Sequence, residues 1–94
     1  MKPENVNPKN FKVHSVLYNN NSFSIAYGKW EEGENCLAMR WDGDENGDVG
    51  YPKTFGYPVW FIIHDDLKMN ILQSLLTLSN VDKEKLFNVL QDAL

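Results

Sequence analysis

Apolar positions along the chain follow two periods, and the change from one to the other divides it. From Phe11 to Trp41 the period is two. In Ser22–Trp30, Phe23, Ile25 and Tyr27 alternate with Ser24, Ala26 and Gly28. In Cys36–Trp41, Leu37, Met39 and Trp41 share one face, with Cys36, Ala38 and Arg40 on the other. Such alternation predicts half-buried strands. Phe11–Tyr18 alternates in part and is rich in β-branched and aromatic residues, which favours a first strand. Val59–His64 is apolar on both faces, so we expect a fourth strand that is central or covered on both sides.

Beyond His64 the spacing becomes helical. Asp65 and Asp66 supply a helix start, because an Asp side chain accepts from unpaired backbone N–H groups. Leu67, Ile71, Leu75 and Leu78 then recur at helical spacing, with Met69, Leu72 and Leu76 widening the stripe. Ser79-Asn80-Val81-Asp82 breaks and re-caps the chain. A last helix follows, with Leu86, Phe87, Leu90 and Leu94 expected inward.

Strands followed by helices specify an α+β fold. The expected architecture is an antiparallel meander of about four strands over 11–64, with two C-terminal α-helices packed on one face. The helices should cover the face bearing Phe23, Ile25, Leu37 and Met39. The opposite face, with Ser24, Ala26, Gly28, Ala38, Arg40, Trp30 and Trp60, should be solvated or meet a second subunit.

Residues 1–94 suit a single domain. Residues 1–10, with two prolines and three asparagines, read as a loose N-terminal arm. Residues 42–58 form a long Gly-, Pro- and aromatic-bearing loop. Connections this long are uncommon in compact domains and, when ordered, are often functional. Within the loop the tripeptide Gly-Tyr-Pro occurs twice, at 50–52 and 56–58. Proline biases the residue before it toward extended backbone, so Tyr51 and Tyr57 should be held rigidly, with Phe55 between them. The rings either fold back over the sheet as a lid or form an aromatic binding surface.

Composition narrows the function. A hydrophobic content of 43% is that of a globular chain, and a net charge of −4 argues against general nucleic-acid binding. The acids gather at Glu31–Glu34 and Asp42–Asp48, at opposite ends of the third strand. A single cysteine, Cys36, excludes an intramolecular disulfide and a thiolate metal cluster. With no signal peptide in the first residues and no apolar run of about 18, we expect a cytoplasmic protein.

Asp42-Gly43-Asp44-Glu45-Asn46-Gly47-Asp48-Val49 resembles the first eight positions of an EF-hand calcium loop, making Asp42, Asp44 and Asn46 candidate cation ligands. The closing position holds Lys53 where a bidentate Glu is needed, and a strand precedes the loop. We therefore expect no metal and no cofactor. Arg40 beside Trp41 is an ion-pair residue or an anion anchor, since a guanidinium offers forked donors and an aromatic neighbour can stack a base. His14, His64 and Cys36 lack the companions of a nucleophile or zinc motif, so no enzyme is expected.

The expected function is a small acidic, non-enzymatic protein-interaction module, of the character of a phage or mobile-element inhibitor or accessory protein. Its binding residues would be Arg40, Trp41, Tyr51, Phe55, Tyr57 and Trp30. The alternative is a homo-oligomer, a homodimer for example, that sequesters a nucleotide-like anion between subunits through Arg40 and the aromatics.

Overall fold

The structure, a computed structural model, describes residues 1–93. A four-stranded antiparallel sheet contains β1 (Phe11–Asn19), β2 (Phe23–Trp30), β3 (Asn35–Trp41) and β6 (Phe61–Ile62), in the order β1-β2-β3-β6. Between β3 and β6 a separate hairpin, β4 (Lys53–Thr54) and β5 (Tyr57–Pro58), leaves the sheet. The helices α1 (Asp65–Leu75) and α2 (Lys83–Ala93) follow. The α+β meander with two C-terminal helices is thus the observed fold, and no helix of the described residues is long and apolar enough to cross a membrane.

The turn between β1 and β2 explains the asparagine run. Asn20 Oδ1 accepts from the backbone N–H groups of Ser22 and Phe23, and Asn19 Oδ1 accepts from Asn21 N. These side chains stand in for missing ladder bonds, as asparagine does in turns. Antiparallel pairing then sets Ser24 opposite Arg40 and Ala26 opposite Ala38.

Two apolar layers sandwich the sheet. On one face Leu17, Ile25, Tyr27, Leu37 and Ile63 pack beneath Leu72, Leu75, Leu86 and Val89 of the helices. That is the predicted helix-covered face. The other face is not free for solvent or a second subunit. Val6, Phe11, Ala26, Cys36, Ala38 and Trp60 form a second buried cluster there. The N-terminal segment is correspondingly not a loose arm. A 3-10 turn at Pro3–Asn5 buries Pro3, Val6 is fully covered, and the Trp60 indole donates to the Val6 carbonyl at 2.7 Å. Small residues on that face leave room for the arm, and the arm covers what the helices do not.

Three further expectations change. The fourth strand is two residues long and lies at the sheet edge, not in the centre; Trp60 and Ile63 are buried, whereas Phe61 is exposed. His64, not an aspartate, caps α1: its Nδ1 accepts from Asp66 N, and the aspartates occupy the first turn, where their charge suits the helix dipole. The buried stripes are narrower than predicted. Leu67, Leu76, Leu78 and Phe87 are exposed, because the faces that meet the sheet run through Leu72 and Leu75 in α1 and through Leu86, Val89 and Leu90 in α2. Leu94 lies outside the described residues. At the α1–α2 junction Lys83 Nζ donates to the carbonyls of Leu75, Leu76 and Leu78, satisfying the end of α1.

Candidate binding surface

The loop from Asp42 to Val59 is ordered by Arg40. The Arg40 side chain is fully buried. Its Nη1 donates to the carbonyls of Val59 and Pro52, and its Nη2 to that of Val49. One guanidinium therefore ties three points of the loop to β3. Trp60 lies alongside, its ring centroid 6.0 Å from Cζ. Asp42 supplies the compensating charge: Arg40 Nε and Asp42 Oδ1 stand 3.8 Å apart, and Ser24 donates to Asp42 Oδ2 at 2.6 Å. Burial pushes the guanidinium below its ordinary value, opposed by Asp42. Burial likewise pushes the Asp42 carboxyl up, opposed by the Ser24 hydrogen bond and by Arg40.

This arrangement does not favour an anion anchor: both Nη groups are spent on loop carbonyls, and Nε, without a hydrogen-bond partner, is enclosed beside Asp42. Of the tryptophans expected beside it, neither stacks on it. Trp41 is the next residue along a strand and points to the opposite face. Trp30 is at the far end of β2, six residues from Ser24, the partner of Arg40; at about 3.3 Å per residue that is about 20 Å away. Within one chain, then, Arg40 and Trp30 do not share a pocket.

The candidate calcium ligands also diverge. Asp42 turns inward to Ser24 and Arg40. Asp44 closes its own loop, with Oδ1 accepting from Asn46 N and Asp48 N. Asp48 Oδ1 in turn accepts from Gly50 N. Carboxylates that shape a turn in this way explain the acid-rich spacing without a cation, and no cluster of metal-ligating side chains occurs among the described residues. The turn also needs glycine at 50. Its φ is +80°, and a Cβ there would lie 2.0 Å from the Trp41 carbonyl oxygen and 2.7 Å from Arg40 Nη2.

With its backbone held, the loop continues the sheet edge in two places. Trp41 and Tyr51 exchange both backbone hydrogen bonds, at 2.7 and 3.0 Å. Further along, Met39 pairs with Phe61 and Ala38 with Ile62. Between these points the chain bulges out as the β4–β5 hairpin, closed at its base by Val59 N donating to the Pro52 carbonyl at 3.1 Å. At its tip, Phe55 (φ +51°) and Gly56 (φ +81°) have the positive φ pair of a type I′ turn. Glycine suits such a position; a bulky aromatic rarely adopts it.

The aromatic rings of this region do not fold back as a lid. Phe55 is 96% exposed, Tyr57 74%, Tyr51 65%, Phe61 61% and Trp41 56%. Trp41, Tyr51 and Phe61 line one depression of about 190 Å³ together with Phe23, Met39, Arg40 and Pro52. Trp41 is held against Phe23 edge-on, with centroids 4.7 Å apart. The surface is the continuation of the helix-covered face, beyond where the helices reach. Of the residues predicted to bind, the structure brings Trp41 and Tyr51 together here and places Phe55 and Tyr57 on the adjoining hairpin. It places Trp30 apart from them, and it sets Arg40 against the same depression with its side chain enclosed. Sequence reasoning missed Phe61, Phe23 and Met39. The available signal was the parity of Phe23, Met39 and Trp41, which sets them on one face.

Cys36 is buried and its thiol is pushed up, chiefly by burial. His64 spends Nδ1 on its helix cap. No protein-family model matches the chain, and no curated protein and no solved structure matches it.

Proposed function

We propose that the chain is a non-enzymatic protein-binding module that docks through the Trp41–Tyr51–Phe61 surface and the hairpin beside it. The observation that carries this reading is the exposure of these rings on a backbone that Arg40 holds in place. Large aromatics dominate the energetics of protein interfaces, and a contiguous exposed apolar patch marks an interaction site. Holding the loop in advance removes most of the ordering entropy that a mobile loop would lose on binding. The burial of Cys36, the use of His64 as a cap and the enclosure of Arg40 all favour binding over turnover or anion capture.

The test is affinity capture from a lysate of the source cells by the wild-type chain and by the Tyr51→Ala/Phe61→Ala variant, with the melting temperature of each recorded. Both rings are mostly solvated, so the variant should melt close to the wild type. If they are interface anchors, each truncation should cost about 2 kcal/mol of binding, roughly 30-fold in affinity, and the captured partner should disappear. A variant that captures the same partner undiminished would remove this surface from the function.

A further inference from the structure

The acidic turn and the aromatic surface meet in a second feature. An open groove of about 550 Å³ is lined by Trp41 and Tyr51 together with Asp44, Asp48, Lys53 and the backbone of Gly43 and Gly50. Two carboxylates face one ammonium there, and Glu45 stands exposed on the same turn. The carboxylates are also held. Asp44 and Asp48 each commit Oδ1 to backbone N–H groups of the turn, while no hydrogen bond among the described residues engages either Oδ2. Fixed carboxylate oxygens beside exposed aromatic faces are the complement of a guanidinium, whose fork takes paired acceptors and whose plane stacks on rings.

We infer that this groove receives an arginine side chain of the partner protein, stacked against Trp41 or Tyr51 and hydrogen-bonded to Asp44 and Asp48. The inference rests on the protein-binding reading above and adds the chemistry of the partner: a surface that sets an arginine beside apolar residues. The apolar residues would occupy the adjoining depression of Trp41, Tyr51 and Phe61. Arginine is favoured over lysine because a compact ammonium uses neither the ring face nor both carboxylates as well.

The test is a ¹H–¹⁵N titration of the full chain at low salt with the peptide acetyl-Gly-Arg-Gly-Arg-Gly-amide, and with the same peptide carrying neutral citrulline for arginine. The reporters are the Trp41 indole N–H and the Gly50 amide, with Trp60, whose indole is buried on the other face, as internal control. The arginine peptide should shift both reporters saturably and leave the Trp60 indole unmoved; the citrulline peptide should not. Asp44→Asn/Asp48→Asn keeps the Oδ1 acceptors of the turn and removes only the charge, so it should fold and bind the arginine peptide at least about tenfold more weakly. Equal shifts with citrulline, or undiminished binding by the Asn variant, would overturn the inference. If the arginine peptide fails while the Tyr51→Ala/Phe61→Ala variant still loses its captured partner, the arginine inference falls and the aromatic surface stands. If that variant keeps its partner, the reading beneath falls as well.

Discussion

The two ends of one sheet face have similar residues and opposite fates. At one end Ile25, Tyr27, Leu37 and Ile63 lie buried under α1 and α2. At the other, Phe23, Met39, Trp41 and Phe61 continue the same strands, and two of their rings face solvent. Length explains the difference. Each helix has eleven residues, about 16 Å, whereas the eight residues of β2 run about 26 Å. A sheet face longer than its cover leaves apolar surface that costs solubility, and such surface is retained where a partner covers it. The residue types that build a core at one end therefore form exposed apolar surface at the other.

Mutation should separate the ends. The largest effect belongs to the covered end: Leu37→Ala should cost about 2–5 kcal/mol in urea unfolding, while Phe61→Ala should stay under about 1 kcal/mol. Similar losses at both sites would erase the distinction. Arg40→Met should be comparably severe, about 3–5 kcal/mol, because it leaves three loop carbonyls without their donor and the buried Asp42 without its compensating charge. It should also broaden the amide signals of residues 49–59, an effect Leu37→Ala should not confine to the loop.

A titration reports on the covered end alone. Tyr27 donates to Asp92 Oδ2 at 2.8 Å, and Asn35 Nδ2 donates to the same oxygen. Burial, then the Asp92 hydrogen bond, pushes the Tyr27 phenol up from 10.0 to about 12. A raised folded value means that the protonated phenol is favoured by folding. This stabilisation is complete below pH 10 and should be lost as the pH climbs from about 10 to about 12, in step with tyrosinate absorbance. Asp92 has the opposite sign: hydrogen bonds from Tyr27 and Asn35 hold its carboxyl below the ordinary value, so its contribution fades as the pH falls into the acid range. In Tyr27→Phe the alkaline loss should shrink; an unchanged profile would show that the phenol is not its source.

The smallest predicted effect is a gain. Phe55→Asn restores the Asn-Gly pair that type I′ turns prefer and should stabilise the chain by about 0.5–1 kcal/mol. If the hairpin belongs to the interface, the same change should weaken partner capture, so stability and binding should move in opposite directions. A loss of stability would show that the Phe55 ring packs in solution.

Much of the fold could be read from the chain because the strands are amphipathic and short turns separate them. Phe23, Ile25 and Tyr27 announce their common face, and Asn19-Asn20-Asn21 announces its turn. The second cluster was hidden because its parts come from distant segments: Val6, Trp60 and Ala38 have no shared period. The role of Arg40 was hidden for a related reason. Strand parity puts it opposite Trp41, but whether that side is solvent or interior depends on where a 17-residue loop returns, and local spacing does not encode that path. Tyr51 and Tyr57 were legible as extended residues ahead of their prolines, and both pair as strand residues; their exposure became visible only once the hairpin was seen to leave the sheet.

The closure of that hairpin bears on how the surface can change. Its six residues join the rest of the chain across one hydrogen bond, between Val59 and Pro52, and no buried side chain lies within it. Its sequence can therefore vary, or a foreign peptide replace it, while the sheet, the helices and the Arg40 anchor stay as they are. Substitutions at 53–58 alone would reshape the surface beside Trp41, Tyr51 and Phe61 at little cost to the fold.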